Sequence, residues 1–132
     1  MLGYFGPAGT FTHQALRTVT DEEALAFASV REALDAVRSG DVHGAVVPIE
    51  NSVEGGVSAT LDELIAGTPL SIRREIVIPV EFGLYAREGT RIEDVRNVLT
   101  HGHAAAQCRN WLSVTLPEAT VTEAGSTAGA AA

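Results

Sequence analysis

Two rhythms alternate along this chain. Short apolar runs of strand length are separated by stretches in which apolar residues return every third or fourth position. Residues 2–5, 25–28 and 45–47 are the first three runs and read as strands. After the first strand, Gly6 and Gly9 allow a tight turn, and Thr10 or Thr12 can cap a helix reaching about residue 19. After the second, Ser29 with Glu32 three positions on forms a capping box, Ala33, Leu34 and Val37 share one face, and Gly40 stops the helix. After the third, Pro48 breaks the apolar run, and Glu50, Asn51 and Ser52 stand side by side before Gly55 and Gly56. Residues 57–66 then read as a helix with Leu61, Leu64 and Ile65 as its apolar face, ended by Gly67-Thr68-Pro69. Strand and helix alternate three times, which predicts an α/β protein with an open, mostly parallel sheet and helices on both faces.

The second part of the chain is less regular. Residues 70–80 carry Arg73-Arg74-Glu75 at their centre, which predicts an exposed or edge segment; 76–78 enter a sheet, Pro79 interrupts, and 81–86 continue as strand. A long extended run of this kind can cross from one lobe to another, so residues 1–78 are assigned to a first lobe and 79–132 to a second. A short helical piece is predicted at 91–95, a strand at 97–99, a helix at 104–112 with Trp111 as a core anchor, and a last strand at 119–123. Gly125, Ser126 and Thr127 open a further helix that has hardly begun at residue 132, so the chain reads as truncated.

Composition narrows the function classes. With 45% hydrophobic residues, the 132-residue chain can bury a core. The formal net charge of -8 disfavours nucleic acid and anionic membranes as partners, since both would repel it. One cysteine, Cys108, excludes an intrachain disulfide and fits a reducing compartment. No signal peptide is visible, and no apolar run approaches the roughly 20 residues of a membrane span. A soluble, cytoplasmic protein is the expectation.

Polar side chains recur where a predicted strand hands over to a helix, the position at which α/β proteins bind small molecules. The turn at residues 6–10 lacks the Gly-Lys-Ser/Thr of a phosphate loop; it reads either as a plain turn or as an anion-accepting helix start. Asn51 and Ser52 can present donors to a carboxylate or carbonyl with Glu50 orienting them, or can tie down their own loop. Thr100 and His101 reach the next helix start, and Gln107 falls four residues after His103, on the same face. The spacing of His101, His103 and Cys108 is poor for a metal, so no metal site is assigned. Ser126 and Thr127 make a further helix start with adjacent hydroxyls.

Four stretches, taken together, resemble the successive motifs of prephenate dehydratase. They are Gly3-Tyr4-Phe5-Gly6-Pro7-Ala8-Gly9-Thr10-Phe11-Thr12, Val47-Pro48-Ile49-Glu50-Asn51-Ser52-Val53-Glu54-Gly55, Thr100-His101 through Gln107-Cys108, and Gly125-Ser126-Thr127-Ala128-Gly129-Ala130-Ala131. The resemblance spans the chain and implies a two-lobed fold like the type II periplasmic binding proteins, with a cleft between the lobes. It implies conversion of prephenate to phenylpyruvate in phenylalanine biosynthesis, without cofactor or metal, by a protein that is a dimer or tetramer at full length. The catalytic roles it suggests fall on Asn51, Glu50, Thr100 and Gln107, and substrate binding on Thr10, Ser52, His101, Ser126 and Thr127. Two departures stand out. Where the family has Ser-His-Pro-Gln, this chain has Thr100-His101-Gly102-His103, and the family's Thr-Arg-Phe motif, with its acid threonine, does not occur in these 132 residues. The fragment is therefore expected to be inactive alone. A non-catalytic anion-binding module and an arogenate dehydratase are the alternative readings.

Overall fold

The computed structural model describes residues 1–53 and 55–124. The chain divides into two compact units, Met1–Val80 and Glu81–Ala132. In the first, β1 (Leu2–Phe5), α1 (Phe11–Arg17), β2 (Ala24–Phe27), α2 (Val30–Ser39) and β3 (Gly44–Val46) follow one another. The three strands form a parallel sheet in the order β2-β1-β3, with Tyr4 opposite Ala26 on one side and Val46 on the other.

That order fixes where the helices go. The connection from β1 to β2 steps one way across the sheet, and the connection from β2 to β3 steps back past β1. With the right-handed crossovers that parallel strands adopt, α1 and α2 fall on opposite faces. The alternation of side chains agrees. Tyr4 stacks on His13 of α1, ring centroids 4.9 Å apart. Gly3, pointing the other way, leaves room for Phe27 and Val42: a Cβ there would lie 2.6 Å from Phe27 Cε2 and 3.4 Å from Val42 Cγ2. Ala15 and Leu16 are buried from α1, and Val30, Ala33, Leu34 and Ala36 from α2.

Local chemistry sets the helix ends. Thr10 caps α1 by accepting from His13 N–H at 3.3 Å. Ser29 caps α2 by accepting from Glu32 N–H at 3.1 Å, while the Glu32 carboxylate reaches back to Ala28 N–H at 3.3 Å. Gly40 ends α2 with φ 86°, in the left-handed region that a side chain disfavours.

After β3 the chain makes a short antiparallel hairpin, β4 (Glu50–Asn51) with β5 (Gly55–Gly56), and then α3 (Ser58–Ile65). The hairpin was not foreseen, because two residue pairs carry no periodic signal. The burial of α3 also departs from expectation. Leu61 is exposed and Ile65 is 85% exposed, whereas Thr60 is 1% exposed. Packing of α3 is directed instead by Arg38 of α2. Its guanidinium donates to the Glu63 carboxylate at 3.1 Å, to the carbonyls of Glu63 at 2.6 Å, Ala66 at 3.1 Å and Thr68 at 3.2 Å, and to Asp35 at 2.8 Å. The carbonyls at the end of α3 thus take their donors from a neighbouring helix. Hydrogen bonds to Asp35 and then Glu63 raise the Arg38 pKa above its ordinary value, so it stays charged.

Residues 71–75 are exposed, as their charged centre predicts, but 76–78 and 81–86 form no strand, contrary to the sequence expectation. A strand exists only through a partner, and no ladder forms along this run among the described residues. Arg73-Arg74-Glu75 and Pro79 each work against one, and Ile72, Val77 and Tyr85 remain exposed.

In the second unit, a 3-10 turn at Ile92–Asp94 precedes β6 (Asn97–Thr100), α4 (Gly102–Thr115) and β7 (Thr120–Glu123). β6 and β7 pair in parallel, with Thr100 opposite Glu123. Trp111 is 48% exposed and is not the core anchor expected of it. Among the described residues of this unit Val98, Ala104 and Leu116 are the buried apolar ones, too little to enclose an indole, which lies in a groove with Leu84, Ile92 and Val95.

The burial pattern predicts a contrast in urea unfolding. Leu16→Ala should lower stability by about 3 kcal/mol, because Leu16 is fully enclosed. Leu25→Ala, on the exposed edge strand, should cost less than about 1 kcal/mol.

Candidate functional site

α1, which follows β1, lies on one face of the sheet, and α3, which follows β3, packs against α2 on the other. Chain departures to opposite faces make the carboxyl ends of β1 and β3 a topological switch point, the place where α/β folds hold their ligands. Two of the sequence motifs leave the sheet there. From β1 comes the turn Gly6-Pro7-Ala8-Gly9-Thr10; from β3 comes Val47-Pro48-Ile49-Glu50-Asn51-Ser52.

The first turn is braced from within. The Gly6-Pro7 bond is cis. Gly6 N–H reaches Phe27 O at 2.9 Å. Thr10 donates its hydroxyl proton to Pro7 O at 2.9 Å while accepting from His13 N–H. Its hydroxyl therefore serves the turn, and a ligand would compete with Pro7 for the proton. His13, which the sequence reading passed over, is part of the same brace. Gly9 N–H approaches its Nδ1 at 3.1 Å and Arg17 Nε–H its Nε2 at 3.3 Å. A neutral imidazole has one acceptor nitrogen, so these two donors compete for it. The i, i+4 spacing of Gly9, His13 and Arg17 was the available sequence signal.

The second loop is the short hairpin. Asn51 Oδ1 accepts from Val53 N–H at 2.9 Å, an Asx turn. Glu50 and Ser52 are exposed. Val57 N–H closes the hairpin on Ile49 O at 2.9 Å. Thr60 Oγ1, buried in α3, donates to Pro48 O at 2.5 Å. No local sequence pattern marks Thr60, because its partner lies twelve residues away.

The second unit repeats the arrangement. Thr100 and Glu123 end β6 and β7 side by side, and Ala124 N–H bonds Thr100 O at 2.7 Å. α4 starts at once. His101 is its cap, with Nδ1 accepting from His103 N–H at 3.2 Å, and the two imidazoles stack with centroids 4.9 Å apart. Gln107 Nε2 turns back to His103 O at 3.3 Å, and Thr100 Oγ1 makes a long contact of 3.5 Å to His101 O. Thr100, His101 and Gln107 thus share one strand-to-helix junction. Glu123 was not foreseen there; its carboxylate occupies the space beside Gly102, with Oε1 2.8 Å from where a Cβ would stand. Ser126 and Thr127 lie outside the described residues. Among the described residues, no group of three or more His, Cys, Asp or Glu is arranged to hold a metal.

Comparison with known proteins bears on what these junctions are for. The prephenate dehydratase family matches residues 2–132. The chain belongs to the prephenate dehydratase family. Prephenate dehydratase of Amycolatopsis methanolica is 49% identical over 132 residues, covering 98% of this chain and 43% of the relative. That of Mycobacteroides abscessus is 44% identical, covering 97% of this chain and 44% of the relative. The crystal structure of prephenate dehydratase from Arthrobacter aurescens in complex with L-Phe superposes with a TM-score of 0.85 at 46% identity, over 98% of this chain and 44% of that one. The chain therefore spans less than half the length of these dehydratases. No helix among the described residues is long and apolar enough to cross a membrane.

Gly102 stands where the dehydratase motif has proline. It is the first residue of α4, the position at which proline is favoured, and His101, with ψ 144°, already has the backbone that precedes one. What opposes a side chain there is the Glu123 carboxylate. Gly102→Pro should therefore change thermal stability little by itself, and should stabilise by about 0.5–1 kcal/mol in a Glu123→Ala background. Equal effects in both backgrounds would show that Glu123 does not hold position 102 open.

Proposed function

We propose that this chain is the first part of a prephenate dehydratase that converts prephenate to phenylpyruvate in phenylalanine biosynthesis. We assign residues 1–78 to the first lobe and 79–132 to the beginning of the second lobe of a type II periplasmic-binding-protein-like fold, a division supported by the compact units Met1–Val80 and Glu81–Ala132. The observation that carries the reading is the Pro48-Ile49-Glu50-Asn51-Ser52 loop leaving β3 at the topological switch point, in a chain matched by the family over residues 2–132.

The chemistry sets what the residues must do. The ring-to-carboxylate carbon–carbon bond breaks to release carbon dioxide, and its electron pair enters the ring. The ring carbon–oxygen bond breaks in turn, and the hydroxyl leaves as water after taking a proton. Aromatisation drives the reaction, so no electron acceptor is required. Hydroxide is a poor leaving group, which makes the acid the essential group. In the family the acid is the threonine of Thr-Arg-Phe, a motif absent from these 132 residues.

The residues present serve binding and orientation. Asn51 and Ser52 position the ring or the side-chain carbonyl, with Glu50 behind them. Thr10, Ser126 and Thr127, with nearby backbone N–H groups, hold carboxylate. Thr100 and Gln107 contact the same substrate, and His101 orients their turn. The full-length protein is proposed to be a cytoplasmic homo-oligomer. The Arthrobacter relative binds L-Phe, and a small carboxylate-bearing molecule is likewise the ligand class proposed here.

Turnover is read from phenylpyruvate absorbance. Asn51→Ala in the full-length enzyme should lower kcat/KM more than tenfold, and a change within about threefold would remove Asn51 from the site. The 132-residue chain alone should give no detectable turnover, and prephenate-dependent product formation would contradict the assignment of the acid to the absent motif.

A further inference from the structure

The hairpin that carries Glu50 and Asn51 consists of two residue pairs, Glu50 with Gly56 and Asn51 with Gly55. A ribbon of that length has no stability of its own. Two hydrogen bonds tie its base. One is local, Val57 N–H to Ile49 O at 2.9 Å. The other comes from the body of the unit, from the Thr60 hydroxyl to Pro48 O at 2.5 Å.

Thr60 is an unusual occupant of its position. It is 1% exposed, in a helix whose neighbouring apolar residues Leu61 and Ile65 face outward. A buried hydroxyl costs free energy unless it is satisfied, and Pro48 O satisfies this one; valine, of the same shape, would fill the space but take that donor away from the carbonyl. Thr60 lies in the first turn of α3, so there is no preceding helical turn to offer its hydroxyl a carbonyl. Thr60 reaches a carbonyl twelve residues back in the chain instead. Pro48 has no N–H and offers only that carbonyl. α3 is in turn held by Arg38 through the carbonyls of Glu63, Ala66 and Thr68. A continuous path therefore runs from α2 through α3 to the point where the chain leaves β3. Gly56 adds to the fit, since a Cβ there would stand 3.1 Å from Leu61 Cδ1.

We propose that Thr60 is a positioning residue for the Asn51 turn, its hydroxyl fixing the Pro48 carbonyl and thereby the direction in which Glu50, Asn51 and Ser52 leave the sheet. The catalytic consequence rests on the dehydratase reading above; the structural one does not. Small misplacements of a binding group are costly to reaction rate, so the effect should fall on kcat more than on KM.

The test uses the full-length enzyme with Thr60→Val, Thr60→Ser and Asn51→Ala. Hydrogen exchange of the peptide covering residues 48–57 should quicken at least tenfold in Thr60→Val, with peptides from α2 unchanged, and should return to the native rate in Thr60→Ser. Native exchange in Thr60→Val overturns the proposal whatever the enzyme's activity. Thr60→Val should also lower kcat about tenfold with KM within about threefold, and the Thr60→Val, Asn51→Ala double variant should be no slower than Asn51→Ala. Multiplying losses would show that Thr60 acts by another route and overturn its role toward Asn51. If Asn51→Ala is itself silent, the dehydratase site fails, and the exchange result alone decides the link from Thr60 to the turn.

Discussion

β1 bonds to β2 on one edge and to β3 on the other, all three running the same way. Everything else in the first unit follows from that constraint. Parallel neighbours need crossover helices, and right-handed crossovers in opposite directions put α1 and α2 on opposite faces. The same reversal makes the carboxyl ends of β1 and β3 a topological switch point. The glycine turn and the Glu50-Asn51-Ser52 loop are there because those strands end there. Gly3 and Gly44 keep the sheet closely packed: side chains at these positions would press on Phe27 and Leu2.

Position is one requirement of a binding site, and rigidity is another. The loops meet the second through polar side chains that serve backbone groups. Thr10 ties Pro7, and Thr60 ties Pro48. Both prolines lack an N–H, and both carbonyls are taken by a threonine. His13 stands under Tyr4 and supports Gly9, while Arg38 collects the carbonyls at the end of α3. Uncharged donors suit a dianionic ligand in a chain of net charge -8, since they bind without adding buried charge.

Much of the first unit could be read from residues alone, because its signals are local. Ser29 with Glu32, Gly40, and the apolar runs near residues 2–5, 25–28 and 45–47 each act within a few positions, and each lies within about one residue of the element it announced. Signals that depend on distant partners were illegible. The run at 70–86 has strand-like residues and no strand partner among the described residues. Leu61 and Ile65 have helical spacing yet face outward, because Arg38 and Thr60 orient α3. Trp111 has the size of a core residue without a core around it. The candidate site divides in the same way. Asn51, Thr100 and His101 can be nominated from sequence because their motifs are contiguous, whereas Thr60 and Glu123 act through space, on Pro48 and beside Gly102.

The first unit brings polar residues to the carboxyl end of its parallel sheet, and the account turns on that end being where a small carboxylate-bearing ligand binds. Hydrogen exchange of the full-length enzyme, titrated with phenylpyruvate, tests this directly. The peptide covering residues 48–57 should gain protection as the ligand saturates, with peptides from α2 unchanged. Exchange of residues 48–57 that stays the same at saturation would contradict the account.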